Sequence, residues 1–476
     1  MGGVRVVPPE YAEHLAFSPI SLGCHDADTS FRRYLRHLPA RNGCTEPLES
    51  KRSTTMIKKI PVTSLHPGMY VHDFNHSWKD PCCGGGNPRF PTQPRLIRTE
   101  TEVREIIDHG IRELDIDTDK GEDVAGSRDR ARVEEELAAQ LLALGDDDDD
   151  DGTAESGPTF TQELNRAAEV KTRARQLVGN VLEDARMGKQ VELGPMRSMV
   201  EEMAESMFRN QDAILSLSLI KKKDEYTFMH SVNVGVFMLS FCQALGITSQ
   251  DLVDVGVGAV LHDIGKMKTP PGILNKPGKL TDEEFKIMKM HVTHSRRILE
   301  RCPGISEVSM SVAYQHHERY DGSGYPEGLK GDKINTFGQM AAICDVYDAI
   351  TSDRVYHKGN VPHTALKRML EWSKYHFSAE LYHKFVKCVG IYPIGSLVRL
   401  SNDHLAVVVC SNAESQYHPV VKVMANAKIK KKVEPIEINL MHHKDVSNGL
   451  SIVGCEEHTK WGIDPKKYMP NPKVFE

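Results

Sequence analysis

Two adjacent histidines and a glutamate, His316-His317-Glu318, run into Asp321-Gly322-Ser323-Gly324-Tyr325-Pro326. Paired histidines at the mouth of a glycine- and proline-bounded turn suit metal ligation better than packing, because neutral imidazole is a common transition-metal ligand. Upstream stand His230, the pair His262-Asp263, and His291; downstream stands Asp345. Gaps of 32, 28, 25 and 28 residues separate His230 from His262, Asp263 from His291, His291 from His316, and His317 from Asp345. Each gap is about the length of a helix pair with its connections, so successive candidates can project into one cavity of a helical bundle. The pair His262-Asp263 closes the apolar run Val255–Leu261, which puts charge at a buried helix end. Asp345 follows the apolar stretch Met340–Cys344, where an unpaired carboxylate would be costly and a metal would remove the cost. Seven candidates exceed the three or four protein groups that one catalytic ion takes, so two metals fit better than one. Histidine-rich ligation with carboxylates admits iron, manganese, nickel or zinc.

The string His-His-Glu-x-x-Asp-Gly-x-Gly-Tyr-Pro, with His262-Asp263 and Asp345, resembles the signature of the HD-GYP phosphohydrolases over about residues 200–395. The resemblance implies a cyclic di-GMP phosphodiesterase that yields pGpG, and onward GMP, through a metal-bridging hydroxide. It implies that His230, His262, Asp263 and Asp345 hold one metal, and that Asp263 bridges to a second held by His291, His316 and His317. Iron or manganese is the expected pair, with nickel and zinc as alternatives. The family pattern places the ligand at His291 rather than at His294, its neighbour one turn on. Lys266 and Arg354 match the family's phosphate-contacting lysine and arginine; the competing reading of Arg354 is an ion pair with Asp353 or Asp348. Gly322, Gly324 and Pro326 are expected to shape the loop, and Tyr325 to stack or hydrogen-bond at the cleft or at a partner surface. Some members hold a third metal through a glutamate four residues before the first histidine. Tyr226 stands there instead, and Glu225 is rotated ~140° away on a helix, so a binuclear centre is expected.

These residues need a scaffold, and the pattern supplies a mainly α architecture: an HD-domain bundle over 221–395 between two small β-rich regions. From Met56 to 145 the reading is a small α+β domain, with strands Lys59–Val62, Leu65–Val71 and Ile111–Asp117 and a helix near Glu100–His109. Its phrase Leu65-His66-Pro67-Gly68-Met69-Tyr70-Val71 resembles the uncharacterised domain often found ahead of HD-GYP domains. Six consecutive aspartates, Asp146–Asp151, open a solvated linker to Pro158. Helices over Glu163–Gly188 and Met196–Ile220 then either carry a signal or dimer contact, or pack as the bundle's first helices. Thr281-Asp282-Glu283-Glu284 is a capping box opening a helix through Arg301, and Gly246 and Gly390 stand where C-terminal caps are expected. Strands Ser396–Leu400, Leu405–Cys410, Val420–Met424 and Ile436–Asn439 form the C-terminal appendage, 396–476. Residues 1–55 lack periodicity and are expected to be disordered or foreign to the natural product, hence dispensable for stability and rate.

A formal net charge of −6 gives no electrostatic case for a nucleic-acid polymer as partner. The ten cysteines are scattered, and Cys82-Cys83 lacks zinc-knuckle spacing, so free thiols in a reducing cytoplasm are expected. No apolar run approaches the ~20 residues of a membrane span. Two rivals stand beside the cyclic di-GMP reading: a different nucleotide substrate, and an adaptor that docks a diguanylate cyclase (GGDEF) domain through the Gly-Tyr-Pro loop. A homodimer is compatible with either.

Overall fold

The computed structural model describes residues 56–75, 93–144, 158–221, 226–247, 250–276, 278, 280–353, 359–412, 415–443 and 449–475. The extension 1–55, Cys82-Cys83, the aspartate run, Glu225 and Arg354 lie outside the described residues.

The N-terminal region is a five-stranded antiparallel sheet: β1 (Ile57–Pro61), β2 (Tyr70–Asp73), β3 (Arg95–Leu96), β4 (Glu113–Asp117) and β5 (Arg128–Asp129), in the order β3-β2-β4-β1-β5. Helix α1 (Glu100–Asp108), capped by Thr99 and Glu102, covers a core of Ile60, Met69, Val71, Ile97, Ile106, Leu114 and Ile116. The strand expected over Leu65–Val71 begins only at Tyr70, because Pro67-Gly68 forms a turn in which Gly68 has φ +101°. Helix α2 (Arg130–Ala143) closes the region.

Helix α3 (Phe160–Arg186) starts at a capping box on Thr159 and Gln162. The single helix expected over Met196–Ile220 is two, α4 (Leu193–Arg209) and α5 (Gln211–Leu219). Asn210 breaks it: its backbone is extended (φ −164°, ψ 102°) and its side chain accepts from Ala213 N, an N-cap inside the polar run Arg209–Asp212. All three helices pack on the bundle that follows.

That bundle comprises α6 (Tyr226–Ala244), α7 (Gln250–Leu261), α8 (Asp282–Leu299), α9 (Glu307–Gln315), α10 (Thr336–Thr351), α11 (Pro362–Trp372) and α12 (Ala379–Val389). Every residue from Ser231 to Cys242 and from Met340 to Ile350 is buried, so α6 and α10 are central helices with no solvent face. α6 packs on α7 and α10; α9 packs on α7, α8 and α10. The capping box of α8 is in place, but the helix stops at Leu299 rather than Arg301, because Pro303 disfavours helical backbone at Cys302. Gly246 (φ +67°) and Gly390 (φ +80°) follow the ends of α6 and α12.

A second five-stranded antiparallel sheet, β6 (Leu397–Leu400), β7 (His404–Cys410), β8 (Val420–Asn426), β9 (Lys431–Asn439) and β10 (Ile452–Glu456), has the order β10-β6-β7-β8-β9. The edge strand β10 is absent from the sequence expectation. No helix among the described residues is long and apolar enough to cross a membrane.

Candidate metal centre

α7 ends at Leu261 and delivers His262 and Asp263 into the bundle interior, followed by a 3-10 turn, Ile264–Lys268. That turn lies hard against α8. A Cβ on Gly265 would sit 2.0 Å from the His291 carbonyl oxygen, so only glycine permits the approach. Gly265 N–H donates to Ser295 Oγ (2.9 Å), and Ser295 Oγ donates to the His262 carbonyl (2.8 Å). This stitch brings His291, on the buried face of α8, to the end of α7. α6 contributes His230, the end of α9 contributes His316 and His317, and α10 contributes Asp345.

The seven side chains form two buried groups, one of His230, His262 and Asp345, the other of Asp263, His291, His316 and His317. The two oxygens of Asp263 face different groups. Oδ2 lies 3.3 Å from His262 Nε2 and 3.7 Å from His230 Nε2, while Oδ1 lies 3.3 Å from His291 Nε2 and 3.8 Å from His316 Nε2. Asp345 Oδ1 lies 3.0 Å from His230 Nε2.

The ring nitrogens are sorted by their partners. His262, His291 and His316 each turn Nδ1 to the carbonyl three residues back, at 2.6, 2.7 and 3.0 Å. A carbonyl only accepts, so Nδ1 carries the proton and Nε2 presents its lone pair inward. His230 makes the same choice against a carboxylate: Nδ1 donates to Asp348 Oδ2 at 2.7 Å. Asp348 is fully buried, and its Oδ1 also accepts from Asn233 Nδ2 (3.1 Å) and pairs with Lys221 Nζ (2.7 Å).

Burial pushes the His291 imidazole down to about 4 and His316 to about 3, and with help from its histidine neighbours it holds His317 well below the usual imidazole range. These rings are neutral, as a ligand must be. Burial acts the same way on His230, but Asp345 and Asp348 outweigh it and raise that ring to about 9. Burial alone would raise the carboxyls of Asp263 and Asp345; Lys266, His262 and His291 hold the first, and His230, His262 and His317 the second, well below the usual range. A cation in the centre would take over the charge that protonated His230 now balances.

The donors fit such a cation on independent grounds. His262 Nε2, His316 Nε2, Asp263 Oδ1 and Asp345 Oδ2 are buried without a hydrogen bond. Leaving so many polar atoms unmatched in a protein interior is expensive, and divalent cations satisfy them all at once.

Lys266 Nζ pairs with Asp263 Oδ2 at the edge of the centre, its side chain 12 % exposed. Tyr325 stacks on His317, with ring centroids 4.7 Å apart and planes 25° apart, and its N–H donates to the His317 carbonyl (3.1 Å). The Tyr325-Pro326 bond is cis, and Gly322 has φ +84°. A Cβ on Gly324 would fall 2.4 Å from Arg319 N, so the loop can fold back on Glu318 and Arg319 only with glycine there. His294 belongs to neither donor group. Tyr226 is the first residue of α6.

Two roles escaped the sequence reading, that of Asp348 and that of Glu318, which was named there only as part of the motif. Asp348 was visible only as a surface partner for Arg354, although a second carboxylate three residues after Asp345 in an apolar helix carries the same signal that singled out Asp345. Glu318 is buried, and its carboxylate accepts from Glu327 N (2.8 Å) and Leu329 N (2.9 Å), tying the far end of the loop to the histidine pair.

Residues 215–381 match the HD domain family, and residues 57–196 match a domain of unknown function, DUF3391. A cyclic di-GMP phosphodiesterase of Pseudomonas aeruginosa is 36% identical over 408 residues, covering 86% of this chain and 94% of the relative. One of Thermotoga maritima is 36% identical over 196 residues, 40% of this chain and 53% of the relative. A 3'3'-cGAMP-specific phosphodiesterase of Vibrio cholerae is 39% identical over 144 residues, 30% of this chain and 33% of the relative.

Proposed function

This chain belongs to the HD-domain cyclic di-GMP phosphodiesterases of the HD-GYP type, and on that premise we propose that it hydrolyses cyclic di-GMP at the buried histidine–aspartate centre. The observation that carries the reading is the division of Asp263 between two donor groups, one oxygen to each. His230, His262 and Asp345 with Asp263 Oδ2 would hold one divalent ion; His291, His316 and His317 with Oδ1 would hold the other. When bound, such a pair supplies Lewis acidity at phosphorus and a water of lowered pKa. The protein's own part is positional and electrostatic. Nδ1 contacts lock four imidazoles with Nε2 inward, and Lys266 sets a cation beside Asp263 where it can meet a phosphate oxygen. Arg354 is assigned to the same phosphate by its match to the family's arginine, and Tyr325 to the cleft wall by its stack on His317.

The metals are iron or manganese in this reading, nickel and zinc being compatible with the same donors. Tyr226 in place of a glutamate supports two ions rather than three. The product is pGpG, with GMP following. A diguanylate cyclase (GGDEF) domain would dock on the Gly-Tyr-Pro loop, and a homodimer is compatible with the fold. The cytoplasm suits the thiols, since the six described cysteines are all free.

Protein loaded anaerobically with Fe(II) or Mn(II) tests the proposal by chromatography of the products. Formation of pGpG from cyclic di-GMP is expected, with 3'3'-cGAMP as competitor to measure selectivity. A loaded protein that leaves cyclic di-GMP intact while turning over 3'3'-cGAMP would reassign the substrate; one inert to both would favour the adaptor reading.

A further inference from the structure

The N-terminal sheet touches the Gly-Tyr-Pro loop. Arg112, just before β4, places its guanidinium 3.5 Å from Asp321 Oδ2 and 5.9 Å over the Tyr375 ring. Asp321 anchors the loop: its Oδ1 accepts from Ser323 N (2.9 Å) and Ser323 Oγ (2.6 Å). Its Oδ2 is buried without a hydrogen bond and faces Arg112 and, at 3.9 Å, His376 Nδ1. Tyr320 N–H donates to the His376 carbonyl (3.1 Å), so the loop leans on the turn that follows α11.

The same turn is where the sheet domain docks. Glu371, at the end of α11, is 3 % exposed and pairs with Lys59 of β1 and with Arg130 of α2 (3.3 Å). Asp115 of β4 joins them, 3.3 Å from Lys59 and 3.5 Å from Arg130, and Lys367 reaches Glu134 of α2 at 3.2 Å. A desolvated network of this kind adds little net stability but penalises any arrangement that leaves one charge unpaired. It holds the sheet in one setting, and that setting presents Arg112 to Asp321. Four residues on from Asp321, the Tyr325 ring lies on His317.

We propose that Arg112 is a positioning residue for the phosphodiesterase centre: through Asp321 it holds the loop in the arrangement that stacks Tyr325 on His317. The N-terminal domain thereby sets turnover by direct contact. This inference rests on the catalytic reading given above. Arg112 is 56 % exposed, and an ion pair of that kind contributes little to global stability. Its effect falls on the loop, where Arg112 faces the one oxygen of Asp321 that the loop's own hydrogen bonds leave unused.

The test uses the full chain loaded with Mn(II), in four forms besides wild type: Arg112→Ala, Arg112→Lys, Asp321→Asn, and Arg112→Ala combined with Asp321→Asn. Arg112→Ala is expected to lower kcat about fivefold, with KM, manganese stoichiometry and Tm unchanged. Hydrogen exchange should quicken at the amides of the loop around Asp321 and Tyr325. Arg112→Lys should restore most of kcat, and Arg112→Ala should cost nothing further once Asp321 is asparagine. Unchanged kcat and exchange in Arg112→Ala would overturn the proposal, as would an undiminished loss in the Asp321→Asn background. If the wild type turns over no cyclic di-GMP, the catalytic reading is what fails, and loop exchange alone then decides whether Arg112 orders the loop.

Discussion

Replacing Asp348 by asparagine changes one atom and should disable the first donor group. Both carboxylate oxygens are in use as acceptors: Oδ2 takes the His230 Nδ1 proton, and Oδ1 meets Asn233 Nδ2 and Lys221 Nζ. The amide must turn its NH2 toward one side. Facing Lys221 and Asn233 sets it against two nitrogen donors; facing His230 sets it against one, the other neighbour there being the Ser352 hydroxyl at 3.4 Å, which already donates to the Asp348 carbonyl (2.6 Å). The second orientation costs less, and it moves the His230 proton to Nε2, where it blocks ligation. Lost outer-sphere partners of this kind cost about 10–100-fold in metal affinity, or about 1.4–2.7 kcal/mol. Complete burial of Asp348 places the expectation at the upper end. The fold should survive, because Lys221 keeps Thr351 Oγ1 (2.8 Å), Ser352 Oγ (2.7 Å) and the Asp348 carbonyl (2.7 Å), so the stability loss is about 2 kcal/mol. Calorimetric titration of Mn(II) into metal-stripped protein measures the effect, with a thermal melt as control. An asparagine variant that binds manganese within about twofold of wild type, at the same stoichiometry, would refute the tautomer argument.

Asp263→Asn should leave a folded protein that loses metal and turnover together, since an amide cannot serve both donor groups as a charged bridge; near-wild-type rate with full metal content would contradict this. Gly265→Ala puts a Cβ 2.0 Å from the His291 carbonyl and 2.3 Å from Ser295 N, and should cost about 1–3 kcal/mol while prising His291 from Asp263. A lowered Tm with lowered manganese content checks it, and an unchanged pair of values would show that the turn can retreat. In metal-stripped protein, His291 at about 4 and His316 at about 3 stay neutral while the unfolded chain takes up protons below about 6.5, so stability rises with pH between about 4 and 6.5. His230, raised to about 9, acts in the opposite sense: its contribution is whole below about 6.5 and is lost as pH climbs through about 9. A Tm maximum near pH 6.5 is expected, and a monotonic rise toward pH 9 would contradict it.

The helical bundle and its flanking sheets were legible because apolar periodicity reports burial, and α6 and α10 are buried almost throughout. Convergence of the seven donors was legible from spacing, because each interval matches a helix pair and charges at apolar helix ends need a buried partner. Asp348 was hidden by its position near Asp353 and Arg354, where exposure gives a polar residue an easy alternative. Only the structure shows it with no solvent contact. The break at Asn210 falls in the polar run Arg209-Asn210-Gln211-Asp212, which reads equally well as the polar face of one continuous helix, so a side-chain cap ends the helix there without disturbing the hydrophobic pattern. Docking of the sheet domain could not be read at all. Lys59, Asp115, Arg130 and Glu371 are ordinary surface residues in sequence, and pairing over such separations is a property of the packed chain.

The central claim is that one carboxylate, Asp263, joins two metal sites that together cleave cyclic di-GMP. Anomalous diffraction from crystals of the Mn(II)-loaded protein, with elemental analysis of the same preparation, tests it most directly. Two manganese positions about 3.5–4 Å apart, each bound to a different oxygen of Asp263, in protein that converts cyclic di-GMP to pGpG, is the predicted result. A single ion in one donor group, or two ions that do not share Asp263, in a preparation with full activity would contradict it.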